Sequence, residues 1–220
     1  MKLQFSYSSL KKFTICPKQY QEVKLKKNFV DLPNEQAIYG KSVHKALEEY
    51  VRDGKPLPKN YQVFQNLLDV LINVPGKKYT EMELALGQDK LPCAFTDPEY
   101  FCRGIVDLLI VDSAGTGFIL DYKTGNPRYA DSKQLKLLTL LVFAHLPHLE
   151  KIRSGLIFIS NNQFMPSHDY TRTDIPALWD SFAADLMRLA YALKTEEFMA
   201  TPNGLCRRYC PVTSCGYCGR

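Results

Sequence analysis

Residues 104–125 read Gly-Ile-Val-Asp-Leu-Leu-Ile-Val-Asp-Ser-Ala-Gly-Thr-Gly-Phe-Ile-Leu-Asp-Tyr-Lys-Thr-Gly. Two apolar runs flank a turn of small residues, the pattern of a β-hairpin. Asp107 interrupts the first run, and the second ends in Asp121-Tyr122-Lys123. Side chains alternate along a strand, so Asp121 and Lys123 share a face. An acid within an apolar strand is costly to bury unless it is paired or binds a metal. Acids on two neighbouring strands, with a lysine beside one, supply the parts of a divalent-cation site. Hard cations such as Mg²⁺ take oxygen ligands, polarise a phosphate and activate water for phosphodiester hydrolysis. The Tyr122 backbone carbonyl is a further candidate ligand, and Lys123 can offset charge developing on the phosphate. A lone Asp-x-Lys beside a turn also fits a structural pair. Asp107 on the preceding strand and Thr124-Gly125 after the lysine favour the chemical role.

Those side chains need a sheet and helices to hold them. Met82, Leu84 and Leu86 alternate with Glu81, Glu83 and Ala85, which predicts a half-buried strand ahead of the hairpin. Gly155–Ser160 predicts one further buried strand. A strong helix is expected over Glu35–Asp53, with Val43, Ala46, Leu47, Tyr50 and Val51 at helical spacing and Gly54 as its stop. His44 lies at the edge of that stripe. Further helices are expected from Ser6 or Ser8 to Ile15, after Pro17, over 61–73, from Asp131 or Ser132 to His145, and from Asp174 to Phe198. The order is helices, three strands, helix, strand, helix and a cysteine-rich end.

Composition bounds the class. The chain has 220 residues, 45% hydrophobic and 23% charged, ordinary values for a globular domain. No apolar run approaches the roughly 18–20 residues of a membrane span, and the N-terminus lacks an apolar signal core. The expectation is a soluble, cytoplasmic protein without a membrane partner. The net charge of +5 mildly favours a polyanionic partner. Lysines crowd the first 27 residues, among them Lys11, Lys12 and Lys18, where a solvated helix face is the plain alternative. Of seven cysteines, Cys206, Cys210, Cys215 and Cys218 cluster near the end. Without a secretion signal, such clusters bind metal more often than they form disulfides. Those four alone could make a closed zinc site.

Gly104-Ile105-Val106-Asp107 followed by Asp121-Tyr122-Lys123-Thr124-Gly125 resembles motifs II and III of the PD-(D/E)XK nuclease superfamily, in its RecB-like branch. Gly40-Lys41-Ser42-Val43-His44-Lys45-Ala46-Leu47-Glu48 resembles the helix that carries the branch's metal-binding histidine. Ser6-Tyr7-Ser8-Ser9-Leu10 through Cys16-Pro17-Lys18-Gln19-Tyr20 resembles its N-terminal signature. The likeness keeps the family's motif order and is greatest to small phage and CRISPR-adaptation exonucleases. It implies an α/β fold with a restriction-endonuclease-like core: a mixed central β-sheet flanked by helices. A single nuclease domain would span residues 1–220, with 1–30 and 200–220 together forming a cysteine-stapled helical lobe.

The resemblance also implies roles. His44, Asp107 and Asp121 become Mg²⁺ or Mn²⁺ ligands, Lys123 the catalytic lysine, and Glu83 a candidate for an acid that some members carry on the first strand. Gln134 matches the glutamine of a Gln-x-x-x-Tyr helix motif that contacts DNA, whereas Leu138 stands at the tyrosine's place. Iron–sulfur members take one cysteine from the N-terminal motif and three from the end. That implies a [4Fe–4S] cluster on Cys16, Cys206, Cys210 and Cys215, with Cys218 as alternative ligand and Zn²⁺ as alternative metal. Cys93 and Cys102 fit no motif and are expected to be packing residues. Lys11, Lys12 and Lys18 would track the DNA backbone, and Tyr7, Phe13 and Tyr20 either stack on bases or pack the helices. The implied activity is metal-dependent DNA exonuclease, on single-stranded or end-processed DNA, with recombination or repair partners and a host-cell cytoplasmic setting if phage-encoded. The rival readings are a non-catalytic DNA-binding scaffold, whose mark would be a broken His/Asp/Asp-x-Lys set, and a zinc-binding interaction module.

Overall fold

The expected long helix forms over Glu35–Asp53 (α3). Asn34 caps it, its side chain accepting from the Ala37 N–H at 2.8 Å, and left-handed Gly54 ends it. The computed structural model describes residues 2–219. The chain divides into two compact units: a larger one, Asn34–Trp179, and a smaller one built from both ends, Met1–Pro33 and Asp180–Arg220. No helix among the described residues is long and apolar enough to cross a membrane.

The larger unit carries the sheet. Its strands are β1 (Lys77–Leu86), β2 (Pro92–Cys93), β3 (Cys102–Val111), β4 (Thr116–Lys123), β5 (Lys151–Phe158) and β6 (Gln163–Thr171). They run in the order β2-β1-β3-β4-β5-β6. Only β4 and β5 pair in parallel; the other neighbours are antiparallel. Helix α5 (Lys133–His145) makes the parallel crossover, as it must, since parallel strands cannot be joined by a tight turn. The sheet is thus mixed, mostly antiparallel and flanked by helices, as expected. Val43 and Leu47 of α3 share one apolar cluster with Leu68 and Leu71 of α4 (Gln65–Asn73) and with Leu108, Ile110, Leu120 and Tyr122 of the hairpin strands. Gly104 lets α5 approach β3: a Cβ there would meet Leu138 at 2.9 Å and Leu141 at 3.0 Å. Leu138, at the place of the motif's tyrosine, is buried in this contact.

Strand β6 was not expected. It is an edge strand, largely exposed, carrying Pro166 next to a register shift. Proline donates no ladder hydrogen bond and is confined to such positions.

In the smaller unit, a reciprocal cap between Ser6 and Ser9 starts α1 (Tyr7–Ile15), and Pro17 starts α2 (Pro17–Tyr20). A π-helical turn, Gln21–Leu25, follows. Phe13 and Tyr20 are buried, packing edge-to-face at 5.6 Å and both meeting Phe198. Packing, rather than stacking on bases, is therefore their use. Two of the three lysines expected on DNA are engaged by acids of this unit: Lys12 pairs with Asp31, and Lys18 reaches the buried Glu22 at 2.8 Å. Lys11 lies 5.9 Å from the Tyr7 ring centre.

Candidate active site

The β3–β4 ladder holds from Val111↔Gly117 to Leu108↔Leu120 and stops there. Asp107 stands just past that last pair. Its Oδ2 accepts from the Tyr122 backbone N–H at 2.8 Å, replacing the bond the ladder no longer makes. The same oxygen lies 3.4 Å from His44 Nδ1, brought by α3, and the His44 ring meets the Tyr122 ring edge-on. Tyr122 thus contributes its backbone N–H and a wall for the histidine.

The third group here is Glu81, not Glu83. The β1–β3 register places Thr80 opposite Leu108 and Met82 opposite Val106, so Glu81 falls between them, across from Asp107. Its φ of 47° is left-handed, a conformation that costs a residue with a side chain about 1–2 kcal/mol. Such strain is held where the surroundings demand it, and it clusters at functional sites. His44, Glu81 and Asp107 each offer a ligand atom, all within 4.8 Å of one another. Glu83, two residues on, is exposed and outside this group. Strand alternation puts both glutamates on one face, so spacing alone could not choose; the register, with Glu81 across from Asp107 and Glu83 across from Ile105, does.

Asp121 is 1% exposed, and its Oδ2 faces the Lys123 ammonium in a buried ion pair. A carboxylate shielded from water in this way has a second oxygen that suits a hard cation. Lys123 Nζ donates to Gln134 Oε1 at 3.1 Å, so Gln134 holds the lysine from the first turn of α5. Two connected sets result: His44, Glu81 and Asp107, and beside them Asp121, Lys123 and Gln134.

The electrostatics are those of crowded acids. Burial, then the charge of Asp107, pushes the Glu81 carboxyl up to about 7. The same two causes raise Asp121, with Lys123 opposing them. At His44 burial works against the charged ring, but Asp107, then Asp121 and Glu81, outweigh it and raise its pKa. Adjacent carboxylates that resist ionising together are relieved by a bound cation. Gln36, Gly40, Lys41, His44, Glu81 and Thr124 line a cleft of about 420 Å³ over these groups.

The cysteines of the smaller unit also converge. Cys16, Cys206, Cys210, Cys215 and Cys218 line one cavity. The Thr201 N–H donates to Cys16 Sγ at 3.5 Å and the Asn203 N–H to Cys206 Sγ at 3.4 Å. In the larger unit Cys102 is buried, its thiol pushed up to about 12 by that burial, and Cys93 is half-buried.

Comparison with known proteins agrees with this geometry. The crystal structure of SSO0001 superposes with a TM-score of 0.52 at 15% identity, over 99% of this chain and 88% of that one, a likeness of fold alone. No protein of curated function matches the chain. The family model of the PD-(D/E)XK nuclease superfamily matches residues 4–82 and 71–215. With nearly its whole length matched and an acid–lysine pair set beside a His/Glu/Asp trio, the chain belongs to the PD-(D/E)XK nuclease superfamily.

Proposed function

We propose that the protein is a divalent-metal-dependent DNA exonuclease of the RecB-like branch, related to the phage and CRISPR-adaptation enzymes, and that it works in the cytoplasm on single-stranded or end-processed DNA with recombination or repair partners. The observation that carries this reading is the trio of His44, Glu81 and Asp107 beside Asp121 and Lys123. The trio would hold Mg²⁺ or Mn²⁺, with a carboxylate oxygen of Asp121 as a further ligand atom; an imidazole among oxygen donors makes Mn²⁺ a natural choice. When bound, the cation supplies Lewis-acid polarisation of the phosphate and neutralises the leaving oxygen. Asp107 takes its place through the Tyr122 N–H and His44, so the ligands are preset by backbone pairing. Lys123, tethered by Gln134, directs an ammonium at the phosphate and orients the attacking water. Gln134 acts here by holding the lysine.

The cysteine cavity supports an iron–sulfur reading on Cys16, Cys206, Cys210 and Cys215, with Cys218 as the alternative fourth ligand. The smaller unit joins the two chain ends, so ligation there would couple the metal to folding.

Digestion of linear and covalently closed circular DNA tests the function. An exonuclease degrades the linear form to short products and spares the closed circle. Cleavage of both would make it an endonuclease, and cleavage of neither would favour the scaffold reading.

A further inference from the structure

One cation of the cleft has no part in the machinery described above. Helix α3 turns Gln36, Gly40, Lys41, His44, Lys45 and Glu48 to the cleft, a stripe at three- and four-residue spacing. Its lysines are not equivalent. Lys45 Nζ lies 3.3 Å from Glu48 and 3.4 Å from Glu49. Lys123, next in the chain to the cleft-lining Thr124, is held by Asp121 and Gln134. Lys41 is exposed and makes no ion pair among the described residues. Of the acids that line the cleft, Glu48 is paired by Lys45 and Arg52, whereas Glu81 makes no ion pair among the described residues. Lys41 is the cleft's cation left to meet an incoming polyanion.

The loop after β4 brings a second donor. A Cβ on Gly40 would lie 3.2 Å from Thr124 Oγ1, so the absent side chain is what lets this hydroxyl sit against α3 beside Lys41. Thr124 makes no hydrogen bond among the described residues. Lys41 precedes His44 by three residues, about 4.5 Å of helix rise. Lys41 therefore stands about one helical turn from His44 on the cleft-facing side of α3, within reach of the backbone that continues from a phosphate at the cation ligands.

We propose that Lys41 and the Thr124 hydroxyl form a phosphate subsite that holds the DNA backbone beside the scissile bond. The proposal rests on the nuclease reading of the cleft and adds a positioning pair to it. Lys41 fixes register through charge, without reading sequence.

The test is fluorescence anisotropy of a labelled 20-nucleotide single strand, with Ca²⁺ replacing Mg²⁺ to permit binding without turnover, across a salt series. Lys41→Ala is expected to weaken binding about tenfold at 0.1 M salt. The slope of log K against log salt should flatten by about 0.7, one phosphate contact on a single strand. Lys41→Arg should retain affinity within about twofold. Thr124→Val should weaken binding less and leave the slope unchanged, because the hydroxyl carries no charge. In turnover with Mg²⁺, Lys41→Ala should raise KM and leave kcat within about twofold. Unchanged affinity and slope in Lys41→Ala, with a wild type that binds and cleaves, would overturn the subsite alone. A wild type that neither binds nor cleaves DNA would overturn the nuclease reading and the subsite with it.

Discussion

Glu81 offers the sharpest structural prediction, because it pays in backbone strain for its place opposite Asp107. Replacing it by alanine should remove one of three charged or neutral donors within 4.8 Å of one another. A carboxylate–cation contact is worth about 4 kcal/mol per unit charge at 4 Å and an effective dielectric constant near 20. Dehydration and release of the Glu81 proton offset part of that. A net loss of about 2.7 kcal/mol corresponds to a roughly 100-fold weaker Kd. At Mn²⁺ equal to 100 times the wild-type Kd, the cation stabilises the wild type by about 2.7 kcal/mol and Glu81→Ala by only about 0.4 kcal/mol. At about 2–4 °C per kcal/mol for a protein of this size, the Mn²⁺-induced rise in Tm should fall from about 5–10 °C to about 1–2 °C. Glu81→Gly guards against misfolding. Glycine relieves about 1–2 kcal/mol of left-handed strain and costs about 0.5–1 kcal/mol in chain entropy, so the metal-free Tm should stay near wild type while the Mn²⁺ response is lost. Thermal melts of wild type, Glu81→Ala, Glu81→Gly and Glu83→Ala read all of this. A full Mn²⁺ shift in both Glu81 variants, or its loss in Glu83→Ala, would refute the assignment.

Three further outcomes are expected. The raised Glu81 pKa gives Mn²⁺ binding a pH dependence with a definite sign: the folded value, about 7, lies above the ordinary 4.5, so the proton competes with the cation and apparent affinity climbs as pH rises toward 7. In the metal-free protein the same group withdraws stability over that window, since the folded state holds the proton more tightly; calorimetric titration of wild type and Glu81→Ala, the latter with a flatter profile, checks both. Gly104→Ala should lower stability by about 1–3 kcal/mol by driving a methyl group into Leu138 and Leu141, and Leu138→Ala in the same chain should recover part of it in denaturant melts. Cys16→Ser should abolish iron content and visible absorbance of anaerobically purified protein, whereas zinc retained in Cys16→Ser and lost in Cys218→Ser would favour a local zinc site.

The hairpin and α3 were legible because their signals are local. Asp107 and Asp121 stand out against apolar strands, and the spacing from Val43 to Val51 with Gly54 at the end marks one helix. What failed to show was whatever depends on partners distant in sequence or on backbone departures from the regular pattern. Glu81 and Glu83 share a period-2 face, and the strand register that sets Glu81 across from Asp107 separates them. Strand β6 borrows its order from β5, since its own residues are polar and include Pro166. Lys12 pairs with Asp31, a partner nineteen residues on that helix spacing does not reveal. Gln134 was expected on the nucleic acid; its contact with Lys123 joins the end of β4 to the start of α5, a pairing that sequence spacing does not contain.

The most direct test of the central claim is release of nucleotides from linear DNA, with Mg²⁺ or Mn²⁺, by wild type, Asp121→Ala and Lys123→Ala. Wild type should digest the DNA only with the cation present. Both variants should melt as folded proteins and lose at least about 10²–10³-fold in rate, the usual cost of removing a group that stabilises charge in the transition state. Digestion at the wild-type rate by both folded variants would contradict the account.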